Sequence, residues 1–172
     1  MPNMDGLWLL RALRAAWETT HGRGSVLGLA PSATAAHELS AALGELPLLV
    51  ANDPEAAAWH PGIHVLPDVH PGAGALGGIL TAVSADARPV VCVAWDMPFV
   101  PPALVRRLAD ELHGSDAVLP ASGGRRGVEP MCAGYGPACR PAIESAIAAG
   151  DLRAIAFHSA VRTSILPAET VA

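Results

Sequence analysis

Residues 89–95, PVVCVAW, carry no charged side chain and are dense in β-branched valine. The run is too short for a buried helix and reads as a strand, and an unbroken apolar strand needs cover on both faces. A sheet with one face in water is thereby disfavoured. The run ends on Asp96, Met97 and Pro98, and Pro101 and Pro102 then open a helix in which Leu104, Val105, Leu108 and Leu112 share one face. Pro98 biases Met97 toward extended geometry, so Asp96 is delivered where the chain leaves the sheet.

The rest of the chain alternates in the same way. Leu7, Leu10, Leu13 and Trp17 recur at helical spacing, SVLGLA (25–30) reads as a strand, and ATAAHELSAALG (33–44) as a helix ending at Gly44. PLLVA (47–51) and IHVLP (63–67) read as strands, LGGILTAVSA (76–85) as a helix, DAVLP (116–120) and EPMCAGY (129–135) as strands. PACRPAIESAIAAG (137–150) is a helix stopped by Gly150, and VRTSIL (161–166) an edge strand. Strands alternating with helices predict a three-layer α/β domain of Rossmann-like type with a mostly parallel sheet, whose ligands bind beyond the carboxyl ends of strands. No repeat or low-complexity linker divides residues 1–172, which are expected to form one domain.

Eleven basic residues, all arginine, against sixteen acidic ones give a formal charge of −5. That balance disfavours broad binding to nucleic acid or anionic membranes and leaves a small molecule or a protein as the partner. No apolar run reaches the roughly 18–20 residues of a membrane helix, and GLWLLRALRAAW lacks the features of a signal sequence, so a cytoplasmic location is expected. Cys92, Cys132 and Cys139 lie in or beside apolar segments and are read as reduced core thiols. His60 and His64 have the spacing of two helical metal ligands, but Pro61 and Gly62 between them argue against that helix.

Asp96 offers a hard oxygen ligand of the kind Mg²⁺ takes alongside phosphate oxygens; the alternative is an aspartate that caps the following turn. A second strand exit presents Asp68, directly ahead of the loop PGAGALGG. That loop lacks the order of a P-loop, yet Gly72, Gly74 and Gly77 fit G-x-G-x-x-G between a strand and a helix, with Asp96 about where a dinucleotide-binding acid belongs. Arg125 and Arg126, in ASGGRRGVEP (121–130), form either a phosphate-meeting pair or a solvated hairpin tip. No serine lies in a nucleophile-elbow context, so hydrolase chemistry is not indicated.

Taken together, LPDVHPGAGALGGILTAV, VVCVAWDMPFVPPALVRRLAD and DAVLPASGGRRGVEPMCAGYGPACRPAIESAIAAGDLR resemble the molybdenum cofactor guanylyltransferase family, nucleotidyltransferases of Rossmann-like fold. The resemblance implies that GTP and Mg²⁺ bind at the sheet edge and that the terminal phosphate of molybdopterin attacks the α-phosphorus of GTP, releasing pyrophosphate. Asp96 matches the family's magnesium-binding aspartate and is the implied catalytic and metal residue; Asp68, Gly77 and Gly78 match nucleotide-contacting positions. Such chemistry asks for positioning and charge neutralisation more than for a general base.

The family's L-A-G-G-x-S-x-R-M-G loop, its first strand and its N-x-N-T-P segment find no match in the 172 residues. The expectation is therefore weakened or absent turnover, with low stability or self-association where the first strand would pair. Two alternatives stay open: a non-catalytic domain that binds a nucleotide or a protein partner, and a cytidylyltransferase of the same fold.

Overall fold

The computed structural model describes residues 48–59, 64–85, 87–94, 97, 100–167 and 169. The elements expected over residues 7–44 lie outside them, as do His60 and Asp96. The described chain opens with β1 (Leu48–Val50), a one-turn helix α1 (Ala56–Trp59) and β2 (His64–Leu66). It continues through α2 (Gly74–Ala85), β3 (Val90–Val93), α3 (Pro102–Glu111), β4 (Ala117–Pro120), β5 (Cys132–Tyr135), α4 (Arg140–Ala148) and β6 (Thr163–Leu166).

The expected alternation of strands and helices is present, and it builds two ladders. β1 and β2 pair in parallel, with Val50 opposite Leu66. The second ladder has the order β3-β5-β4-β6, in which β5 runs against both neighbours while β4 and β6 are parallel. Three of its four strands thus share one direction, and among the described residues β6 is an edge strand, as its sequence implied.

The period of two along each strand sorts side chains onto two faces. Val90, Cys92, Ala117, Leu119, Ala133 and Tyr135 join one core with Leu76, Ile79, Leu80 and Val83 of α2 and Ile143 and Ile147 of α4. Val91, Val93, Val118 and Cys132 join a second core with Leu104 and Leu108 of α3 and Leu112 beyond it. Helices therefore cover both faces, giving the three-layer α/β arrangement. The proline reading of α3 holds: Pro101 is its extended N-cap, Pro102 occupies the first turn, and Leu104, Val105 and Leu108 are buried.

Cover is not deepest where composition placed it. All four residues of β4 and of β5 are buried, whereas those of β3 are only partly so. Among the described residues β3 ends its ladder and has β5 on one side alone, so its valines pack less completely. The tightest packing needs a missing side chain instead. A Cβ on Gly134 of β5 would stand 2.8 Å from Leu112 Cδ1 and 3.2 Å from the Leu108 carbonyl oxygen, so glycine is what lets α3 lie close against the sheet.

Candidate functional site

β2 ends at Leu66, and two residues later Asp68 stands at the strand exit that the sequence marked. The parallel register pairs residue i of β1 with i+16 of β2, and Ala51 continues it by donating its N–H to the Leu66 carbonyl at 3.0 Å. The next position in that register is Asn52 opposite Asp68, and there side-chain bonds take over from the backbone. Asn52 Oδ1 accepts the Asp68 backbone N–H at 2.8 Å, and Asn52 Nδ2 donates to Asp68 Oδ2 at 2.8 Å. A backbone N–H can only donate and a carboxylate can only accept, so the two partners together fix which way the amide faces.

The other carboxylate oxygen meets Thr81 of α2, the one buried polar residue among those described. Thr81 Oγ1 accepts the Val69 N–H at 3.0 Å and donates to the Gly77 carbonyl at 2.9 Å, while Asp68 Oδ1 lies 3.5 Å away. A hydroxyl has one proton, and here it goes to the nearer oxygen. Asp68 Oδ1 is left with only the longer approach.

The chain then turns through left-handed backbone at Gly72 and Gly74 and enters α2. Gly77 and Gly78, both implied as nucleotide-contacting, occupy different surroundings. A Cβ on Gly77 would press on Ala73 Cβ and the His70 carbonyl, each at 3.1 Å, and would lie 3.8 Å from Asp68 Cγ. Gly77 is thus a close-packing glycine that draws the loop onto the helix behind the carboxylate. A Cβ on Gly78 would meet nothing within 4 Å. Val69, His70, Pro71 and Gly72 are exposed beside Asp68, with Val69 at 59%.

The structure brings Asp68 and Gly77 together, with Gly78 the next residue of α2; Asp96 lies outside the described residues. It adds Asn52 and Thr81, which the sequence reading did not single out. Thr81 shares no motif with Asp68, but Asn52 carries a usable signal: an asparagine just past one strand, in register with an aspartate just past the next.

Other ionisable groups have structural surroundings. Burial pushes the Cys92 thiol up to about 12 and those of Cys132 and Cys139 to about 11, which keeps all three protonated core thiols, in keeping with their apolar contexts. Arg125 and Arg126 are exposed on a hairpin closed by an Ala121–Val128 bridge, the arrangement of a solvated tip. Among the described residues no three His, Cys, Asp or Glu side chains converge on a metal-sized space. No described helix is long and apolar enough to cross a membrane.

Residues 28–163 match the MobA-like NTP transferase domain family. A "Probable molybdenum cofactor guanylyltransferase" of Pelotomaculum thermopropionicum is 33% identical over 111 residues, covering 64% of this chain and 53% of that protein. A protein of the same name from Chloroflexus aggregans is 36% identical over 110 residues, covering 62% and 51%. The chain spans about half the length of these curated relatives. Among solved structures, molybdopterin-guanine dinucleotide biosynthesis protein A from Archaeoglobus fulgidus superposes with a TM-score of 0.66 at 24% identity, over 86% of this chain and 76% of that one. A protein from Aquifex aeolicus VF5 superposes at 0.60 with 17% identity, over 73% and 68%.

Proposed function

Because this chain belongs to the MobA-like NTP transferase domain family, we propose that it is a molybdenum cofactor guanylyltransferase domain that binds GTP at the carboxyl edge of its strands. The observation that carries the reading is Asp68, fixed at the exit of β2 ahead of the glycine turn, with Oδ2 held by Asn52 and Oδ1 making only a long approach to Thr81. In the reaction, an oxygen of the terminal phosphate of molybdopterin forms a bond to the α-phosphorus of GTP. The bond from the α-phosphorus to the bridging oxygen breaks, GMP is transferred, and that oxygen leaves with pyrophosphate.

Residues at the β2 exit would supply the nucleoside end of this site. The Asp68 carboxylate takes a hydrogen bond from the ligand, the exposed Val69 side chain offers apolar contact, and the open space at Gly78 admits the ligand close to the backbone. Gly77 acts behind them by bringing the turn onto α2. The phosphate end belongs to the proposal through Asp96, the expected magnesium ligand and catalytic carboxylate. The metal assignment rests on Asp96, since Mg²⁺ takes one or two protein carboxylates and completes its shell with water and phosphate oxygens. When bound, Mg²⁺ would neutralise charge developing on the phosphates.

Calorimetric titration with GTP in the presence and absence of Mg²⁺ tests the reading, with CTP as competitor. Saturable GTP binding that CTP displaces poorly, and that strengthens with Mg²⁺ in the wild type but not in Asp96→Ala, is expected. Equal affinity for GTP and CTP would overturn the guanylyl assignment, and equal Mg²⁺ response in both proteins would overturn the metal assignment.

A further inference from the structure

Asn52 does more than close a ladder. Its carboxamide spends both functional ends on Asp68, the oxygen on the backbone N–H and the nitrogen on Oδ2, each at 2.8 Å. The carboxylate can neither rotate about its side-chain torsion nor shift along the strand without breaking one of these bonds. On the opposite side, Thr81 commits its proton to the Gly77 carbonyl at 2.9 Å and receives the Val69 N–H, leaving Asp68 Oδ1 at 3.5 Å. Oδ2 of Asp68 is therefore oriented by a neighbour, and the carboxylate keeps acceptor capacity for a further donor.

We propose that Asn52 is a positioning residue for ligand binding, fixing the orientation of the Asp68 carboxylate, and that the group docking on that carboxylate is a hydrogen-bond donor, a hydroxyl or an amino N–H, rather than a phosphate oxygen. The proposal rests on the nucleotide reading above. A carboxylate only accepts, and it repels a phosphate, so the ligand's nucleoside end is what Asp68 selects.

The test is a double-mutant cycle on the full chain, with wild type, Asn52→Ala, Asp68→Ala and the double variant each titrated with GTP, with guanosine and with inorganic tripolyphosphate. Asn52→Ala is expected to weaken GTP and guanosine alike by about tenfold, as loss of one oriented hydrogen bond to a charged acceptor does. Tripolyphosphate affinity should not move. In the Asp68→Ala background the second substitution should cost nothing further, because Asn52 acts through Asp68. An undiminished loss in that background would show Asn52 touching the ligand itself, and no loss in the single variant would show an idle latch; either result overturns the proposal. So does an equal loss for tripolyphosphate.

A wild type that binds neither GTP nor guanosine would instead overturn the nucleotide reading, and the latch then has its own readout. Proton exchange at the Asn52 side-chain amide, followed by NMR, should be slowed in the wild type and fast in Asp68→Ala. Equal exchange in the two proteins would mean the latch does not form, and would overturn the proposal whatever the nucleotide result.

Discussion

Two aspartates each hold a pair of parallel strands together, at opposite ends of their ladders, and they are used differently. Asp116 stands just before β4, where Arg162, just before β6, donates its backbone N–H and Nε to Oδ2 at 3.0 and 3.1 Å and Nη2 to Oδ1 at 2.8 Å. Both oxygens are taken, and the guanidinium beside it holds the Asp116 carboxyl below the usual carboxylate range. Asp68 stands just past β2, where a neutral amide takes one oxygen and leaves the other. The first arrangement completes a parallel start and has nothing left to offer a ligand. The second is equally ordered but unfinished, and a site needs an ordered group with spare capacity.

The contrast can be broken by moving the two carboxylates separately. Asp68→Ala should lower GTP affinity by roughly 10- to 100-fold, the scale of a charge-assisted hydrogen bond, while calorimetric unfolding stays close to wild type. Thr81→Val removes the acceptor of the Val69 N–H and a bond to Gly77 in a buried place, and should cost about 1–3 kcal/mol in urea unfolding. Asp116→Asn should do the reverse of Asp68→Ala, lowering the thermal midpoint modestly and leaving GTP affinity alone; the modest size follows from the exposure of Arg162.

The smallest effects are those of pH, and they come in two windows. Burial pushes His158 down to about 4 from 6.5, so the unfolded chain binds a proton that the folded chain refuses, and stability falls as the pH drops between those values. Asp116 is lowered in the folded state, so its contribution is complete above the ordinary carboxylate value of 3.8 and is lost only as the pH falls below it. Urea midpoints measured from pH 7 to pH 3 should show the upper window vanish in His158→Phe and the lower one in Asp116→Asn. A single unchanged transition in both variants would remove these two groups from the pH response.

Much of the described fold was legible because its signals are local. Proline opens α3, short apolar runs mark β4 and β5, and Asp68 precedes a glycine turn at a strand exit. What escaped depends on pairs distant in sequence. Asn52 in LLVAND reads alone as a turn residue, and only the sixteen-residue register with β2 gives it a partner. The one-turn helix α1 escaped because it is short, held by the Glu55 N–H on Asp53 Oδ1 and the Ala56 N–H on the Asp53 carbonyl, with too few residues to show a period. β3 is less fully buried than its apolar run implied because composition reports how apolar a strand is and not whether it has a neighbour on each side.

The most direct test sets the two aspartates side by side in one titration. Guanosine nucleotide is added to wild type, Asp68→Ala and Asp116→Asn at the same pH and Mg²⁺ concentration. Saturable GTP binding to the wild type, at least tenfold weaker in Asp68→Ala and unchanged in Asp116→Asn, is the expected result. Equal GTP affinity in wild type and Asp68→Ala would contradict the assignment of the β2 edge as the nucleotide site.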